Sequence, residues 1–266
     1  MSNNVIRTDA PPTRAAQRTG EFAPELQLSV DHDLCPGCGE PLALRLVLEL
    51  IEELGYAENA LGVVGIGCYT ALGSSIGVDM VQALHGRAPS LATGVKRMRP
   101  GTLVFALQGD GDMVNEGLQE VIHTAARGEN VTCIMLNNGV FGETGGHMTA
   151  TTVIGQRTKN SLEGRDPKKH GYPIRMAEML APLDGVAYVA RGATNNAGNI
   201  FQLRKMLRSA LQAQADGLGF SFVEILTMCP TGWFIQTGEA PDYLEDKLEA
   251  FHKVGIIKDI AEPPQG

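Results

Sequence analysis

Two short patches of acid and amide side chains could hold a metal ion. Gly109-Asp110-Gly111-Asp112 follows the apolar run 102–108, and Asn137-Asn138-Gly139-Val140 follows the apolar run 131–136. Short apolar runs closed by turn residues read as buried strands. Between them, Leu118, Val121, Ile122 and Ala125 recur at helical spacing across residues 115–126. Strand, helix, strand is a right-handed crossover unit, so Asp110 and Asn138 are expected just past the carboxyl ends of two strands of one sheet. Magnesium takes oxygen ligands, and a carboxylate with an amide would supply part of its shell, with phosphate oxygens of a ligand supplying more. Gly109 and Gly111 let the backbone approach a diphosphate closely, and the helix that follows adds its N-terminal dipole. Taken singly, each patch is an ordinary turn; the pair at this spacing favours a metal–diphosphate site.

The second candidate chemistry is thiolate ligation. The chain has five cysteines: Cys35, Cys38, Cys68, Cys133 and Cys229. Cys35-Pro36-Gly37-Cys38 is a CxxC turn before a helix, while Cys68 and Cys229 each follow an apolar run. Two of these three places lie beyond strand ends, so the sulfurs could meet at one edge of a sheet. Four thiolates would suit a tetrahedral zinc or a [4Fe–4S] cluster, and the residue types alone do not choose. Cys133 sits inside an apolar run and is expected to be a buried, inert thiol.

These side chains must be carried by regular elements. Residues 41–54 read as a helix, with Pro41 in its first turn and Gly55 at its exit. Residues 61–66, 186–190 and 220–227 read as further strands, and 200–215 and 242–251 as helices. Strands alternating with helices predict an α/β fold, a parallel sheet with helices on both faces, whose ligands gather beyond the carboxyl ends of the strands. The segment 139–172 is a long Gly- and Thr-rich loop, and loops of that length are usually functional. The expected organisation is an extended N-terminal arm over residues 1–30, one cofactor-binding domain over 31–255, and a C-terminal tail over 256–266.

Composition narrows the class. With 22 basic and 30 acidic residues the formal charge is −8, which disfavours a nucleic-acid partner. No apolar run approaches a membrane span, and residues 1–22 hold no secretory signal, so a cytoplasmic protein is expected. The odd cysteine count and the absence of an export signal argue against a disulfide framework. Gly65-Ile66-Gly67-Cys68-Tyr69-Thr70 begins like a dinucleotide fingerprint but lacks its third glycine, so no nicotinamide site is assigned to this chain.

The GDG and NN patches together resemble the thiamine-diphosphate fingerprint. Joined with CPGCG, GIGC, HGR, ATGVK, TGG and a late CP, they make residues 33–235 similar to the β subunit of the 2-oxoacid:ferredoxin oxidoreductases, in particular the short β subunits of the four-subunit 2-oxoisovalerate and 2-oxoglutarate types. The resemblance implies a thiamine-diphosphate-binding fold. Magnesium would be held by Asp110, Asn138 and the Val140 carbonyl, and a [4Fe–4S] cluster by Cys35, Cys38, Cys68 and Cys229. Gly67, His85, Gly109, Gly111, Thr144 and Gly145 would complete the cofactor pocket. It implies CoA-dependent oxidative decarboxylation of a 2-oxoacid to acyl-CoA and carbon dioxide, with electrons leaving to ferredoxin, or to NAD through a flavin subunit. An α subunit would supply the glutamate that activates the cofactor, with γ and ferredoxin-like δ subunits beside it. A non-oxidative thiamine-dependent decarboxylase or synthase and a zinc-stabilised scaffold are the competing readings. Glu143 departs from the family pattern and is expected to point away from the diphosphate. Arg157, Arg165 and Lys168 are candidate substrate or coenzyme contacts, and Lys96 is expected at the surface.

Overall fold

The computed structural model describes residues 32–260. The proposed N-terminal arm and residues 261–266 of the proposed tail lie outside the described residues. Nine strands form: β1 (Ala60–Val64), β2 (Asp79–Gln82), β3 (Leu103–Gly109), β4 (Thr132–Asn137), β5 (Val140–Phe141), β6 (His147–Met148), β7 (Val186–Ala193), β8 (Phe220–Leu226) and β9 (Gly255–Asp259). Eight α-helices accompany them: α1 (Glu40–Glu53), α2 (Ala88–Met98), α3 (Leu118–Ala126), α4 (Pro167–His170), α5 (Met176–Leu180), α6 (Ala197–Ala215), α7 (Pro230–Trp233) and α8 (Ala240–Tyr243).

Seven strands make one sheet in the order β2-β1-β3-β4-β8-β7-β9, and β5 pairs with β6 in a small hairpin. Every neighbour in the large sheet is parallel except β7 and β9, which are antiparallel. The sheet is therefore mixed at one edge rather than wholly parallel. Residues 256–259, assigned to the tail from sequence, are part of β9.

Burial alternates along each central strand with the period of two that a sheet imposes. Leu103, Phe105 and Leu107 of β3, with Ile134 and Leu136 of β4, pack under α1 and α6. Val104 and Ala106, with Cys133 and Met135, face the opposite way under α2, α3 and α5. Both faces of the sheet are dry, which is why these strands read as continuous apolar runs. A third cluster, containing Val140, Ala193, Leu226, Trp233, Leu244 and Leu248, closes over the carboxyl ends of the strands.

The chain passes from β1 outward to β2, then returns across β1 to β3 and proceeds to β4. That reversal opens a crevice beyond the carboxyl ends of β1 and β3, where open α/β sheets bind ligands. The helix expected over 115–126 starts later, at Leu118, because a π-helical turn (Gly111–Glu116) intervenes. Such wide turns are rare and cluster at functional sites.

Candidate cofactor and cluster site

A cleft of about 450 Å³ lies at this crevice, lined by residues from the β1, β3 and β4 ends, the turn before α2, and the start of α1. Asp110 and Asn138 both line it, each one residue beyond its strand. The neighbouring placement of β3 and β4, expected from the crossover, is what brings them together. The Asp110 carboxylate is buried and accepts hydrogen bonds from the Thr149 hydroxyl at 2.6 Å and from the Thr151 hydroxyl. Burial pushes its pKa up to about 6, while these hydroxyls and the backbone N–H groups of Asp110 and Asn138 pull it down.

Asn138 is fixed from three directions. Its side-chain oxygen accepts from Val140 N–H at 3.0 Å, its carbonyl accepts from Trp233 Nε1 at 2.7 Å, and Gln156 Nε2 reaches the same carbonyl at 3.4 Å. Trp233 stands in α7, directly after Cys229. The loop that carries the metal-ligand candidates is thereby tied to the loop that carries the last cysteine.

The cysteines converge from separate elements. Cys38 N–H donates to the Cys35 carbonyl at 3.0 Å, closing the CxxC turn, and Gly39 N–H donates to the Met228 carbonyl at 2.9 Å. The CxxC turn is thus stitched to the segment holding Cys229. A β-carbon placed on Gly142 would stand 3.2 Å from Cys68 Sγ and 3.7 Å from Cys229 Sγ. Burial pushes the Cys68 and Cys229 thiols up to about 12, and Cys38 higher still, with Glu40 and the neighbouring sulfurs adding to the rise. Thiolates here need a cationic centre to lose their protons. No group of three or more His, Cys, Asp or Glu side chains closes around a single ion among the described residues. Cys133 is buried in β4 with its thiol raised by burial, as expected for an inert core residue.

Glu40 is coupled electrostatically to members of both sets of candidate ligands. It is the first residue of α1, 4% exposed, and one of its oxygens has no hydrogen-bond partner. Burial, then the charges of Asp110 and Glu143, push its pKa up to about 8. Sequence reasoning missed it, although a charged residue two positions after CxxC was the available signal. Glu143 was expected to turn away; it lines the cleft, and its charge reaches Glu40 and Cys68. The lining contains no Lys or Arg. A diphosphate beside the Asp110 and Glu143 carboxylates would be repelled unless a divalent cation accompanied it, and the oxygen donors present suit magnesium. The residues therefore fit a metal-bound diphosphate.

Gly67, His85, Gly109, Gly111, Val140 and Thr144 line the cleft with Asp110 and Asn138, whereas Gly145 does not. Thr144 is exposed, with its hydroxyl 3.3 Å from His147 Nδ1. Arg165 is neither a ligand nor a surface charge. It is buried and donates to the carbonyls of Thr149, Ala150, Thr152, His170, Gly171 and Tyr172, stapling the loop that presents Thr149 and Thr151 to Asp110. Lys96 donates to the Thr102 carbonyl, and Arg157 to the Leu162 carbonyl; neither lines the cleft. Lys168 sits in the exposed α4.

Residues 65–225 match the thiamine pyrophosphate enzyme family in its C-terminal TPP-binding domain. That match spans more than half of the chain and contains both metal-ligand candidates. The chain belongs to the thiamine-dependent 2-oxoacid oxidoreductase family. It is 35% identical over 97% of its length to the ketoisovalerate oxidoreductase subunit VorA of Methanothermobacter thermautotrophicus, of which it covers 53%. It is 31% identical over 87% of its length to the 2-oxoglutarate synthase subunit KorB of Methanocaldococcus jannaschii, covering 89% of that protein. To the 2-oxoacid:ferredoxin oxidoreductase subunit beta of Saccharolobus solfataricus it is 33% identical over 82% of its length. The chain spans about half the length of the first of these relatives. Its fold superposes with a TM-score of 0.73 on a chain of the 2-oxoglutarate:ferredoxin oxidoreductase from Magnetococcus marinus, at 23% identity and covering 92% of this chain and 88% of that one. No helix among the described residues is long and apolar enough to cross a membrane.

Proposed function

We propose that this chain is the cofactor-binding β subunit of a complex that oxidatively decarboxylates a 2-oxoacid with coenzyme A, passing electrons through a [4Fe–4S] cluster to ferredoxin. One observation carries the reading. Asp110 and Asn138 share a single small cleft with Cys68, Cys38 and Cys229 lie within electrostatic reach of Cys68, and Glu40 is coupled both to Asp110 and to these three sulfurs. Oxygen ligands for a hard cation and sulfur ligands for iron in one place suit a reaction that forms a carbanion and then removes its electrons one at a time.

Asp110, the Asn138 side chain and the Val140 carbonyl would hold magnesium, and Gly109, Gly111 and Thr144 would lie against the diphosphate. Thiamine diphosphate, when bound, supplies the carbanion chemistry. Cys35, Cys38, Cys68 and Cys229 would hold the cluster, in a reducing compartment such as the cytoplasm where thiols stay free. The α subunit completes the cofactor site and supplies its activating carboxylate, with γ and ferredoxin-like δ subunits relaying electrons. The relatives' names span a branched-chain and a dicarboxylic substrate. Because the cleft lining offers no Arg or Lys to grip a distal carboxylate, selection between them falls to the partner subunit.

The test is the complex purified under nitrogen, assayed with a panel of 2-oxoacids, coenzyme A and a viologen dye, with iron and thiamine diphosphate measured on the same sample. Wild type is expected to carry both and to reduce the dye. Asp110→Asn is expected to lose about 100-fold or more in thiamine-diphosphate affinity, since it removes the one charged ligand among the three this chain would offer the metal. Unchanged affinity in that variant would mean the metal site lies elsewhere.

A further inference from the structure

The cleft holds one imidazole, and it is not free to choose its tautomer. His85 is about half exposed and lines the cleft, with Nδ1 2.7 Å from Asp112 Oδ1. Asp112 is the second acid of Gly109-Asp110-Gly111-Asp112 and is only 2% exposed. Its Oδ1 also accepts from Gly86 N–H at 2.8 Å. Its Oδ2 accepts from the Tyr69 hydroxyl and Gln108 Nε2, both at 2.8 Å, and from Ile66 N–H at 3.2 Å. With its neighbours all donating, Asp112 presents an acceptor to His85. The proton of the neutral ring must then sit on Nδ1, leaving a lone pair on Nε2.

The turn bearing His85 is fixed a second time. Gly86 has φ +74, and a β-carbon there would lie 2.4 Å from the Glu116 carbonyl, so the turn is wedged against the start of α3. The ring can neither swing away nor exchange nitrogens without breaking the Asp112 contacts. This is the base–orienter arrangement of catalytic imidazoles.

We propose that His85 is a catalytic acid–base of the reaction and that Asp112 is the residue that positions it. This rests on the function proposed above. Carrying a proton on each nitrogen, His85 gives the Nε2 proton to the carbonyl oxygen of the 2-oxoacid as the carbonyl carbon is attacked, and is left as the Nδ1–H tautomer that Asp112 holds. The same nitrogen takes that proton back as the acyl carbonyl re-forms. The proton leaves and returns to one atom, so no further co-reactant is required. Within the lining only His85 becomes a cation by taking up a proton. Its ring is therefore suited to donate to an oxygen that is gaining negative charge.

Asp112→Asn separates this role from a structural one. The amide can place its NH₂ group on either side. On the Oδ2 side it opposes three donors, and on the Oδ1 side it opposes only Gly86 N–H and the His85 ring. The second placement loses less, and it reverses the His85 tautomer. In the assembled complex, Asp112→Asn and His85→Gln are each expected to keep thiamine-diphosphate content and affinity within about threefold while kcat falls roughly 10²-fold or more at saturating cofactor. Nitrogen-15 spectra of the histidine-labelled full chain, with His85 assigned by its loss in His85→Gln, are expected to show Nδ1–H in wild type and Nε2–H in Asp112→Asn. His85 sits on a half-exposed turn, so its glutamine variant tests the role even if Asp112→Asn fails to fold. A His85→Gln complex that keeps full kcat removes His85 from the chemistry. An Nε2–H signal in wild type removes Asp112 as its orienter. A wild-type complex that consumes no 2-oxoacid overturns the proposed function and the catalytic role with it, and is told apart from the first outcome by the wild-type assay alone.

Discussion

At Gly142 a single absent side chain decides whether two sulfurs can serve one cluster. Cys68 Sγ and Cys229 Sγ both lie within 4 Å of the place a β-carbon would take there. An unligated thiol could give by a few tenths of an ångström, but a sulfur bonded to iron cannot. Gly142→Ala is therefore expected to fold, to keep Asp110-dependent cofactor binding, and to lose most of its iron when purified anaerobically. Full iron stoichiometry with an unchanged visible spectrum would place the cluster away from this gap. The primary ligand candidates were readable because their chemistry is written in residue types at strand ends: Asp110, Asn138 and the cysteines. Asp112, Glu40, Thr149 and Thr151 were not, because what they do depends on which distant groups face them. Thr149 and Thr151 reach Asp110 across about 40 positions of chain, and Arg165 makes that contact possible by stapling their loop.

Elements were legible where burial on both faces writes a long apolar run. The central strands β3, β4 and β8 were found for that reason, within one or two residues at each end. β2 escaped because Asp79–Gln82 is a short edge strand with mostly exposed side chains. α2 escaped because Gly94 interrupts its pattern, although Pro89 in its first turn and Lys96 and Arg97 in its last are sound helix signals. β9 escaped because none of its five residues is buried, so it writes no apolar run. The pairing of β7 with β9 and with β8 encloses a polar group that tests the packing. His252, just before β9, is fully buried, with Nε2 3.1 Å from the Thr151 carbonyl and Nδ1 3.7 Å from Glu224. Glu224 is itself buried and paired with Arg191 at 2.9 Å, and Arg191 also binds Glu178. Burial holds the His252 pKa below the ordinary histidine value; Glu224 and Glu178 oppose this and Arg191 assists it. Above a pH of about 6.5 the ring is neutral whether folded or unfolded. Below it, the unfolded chain takes up a proton that the folded chain refuses, so stability falls as the pH falls. His252→Gln keeps an amide donor for the Thr151 carbonyl and removes that linkage. Urea unfolding of both proteins from about pH 5 to pH 8 is expected to give a constant stability difference above the histidine range and a shift in favour of the variant below it. A difference that stays constant throughout would mean that His252 does not resist protonation.

On the proposed function, the molecule as a whole is one part of a shared catalytic site. Its cleft opens beyond the carboxyl ends of β1 and β3, and the chain spans about half the length of the VorA relative. On our reading the fold supplies anchors both for a metal-bound diphosphate and for the cluster. The carboxyl groups lining the cleft are Glu40, Asp110, Asp112 and Glu143. On the proposed function, activation of the cofactor's distal ring falls to a carboxylate from a partner chain, and it lowers the barrier only when both parts are held together. The isolated chain is thus expected to bind thiamine diphosphate in a magnesium-dependent way and to lose it on treatment with a chelator, yet to reduce no viologen with any 2-oxoacid. Adding the α subunit is expected to restore dye reduction in proportion to the complex formed. The two halves of this expectation separate cleanly: loss of the first would mean the cleft is not a diphosphate site, whereas turnover by the chain alone would mean that the activating carboxylate is its own, with Glu40, buried and without a partner on one oxygen, as the residue to mutate next.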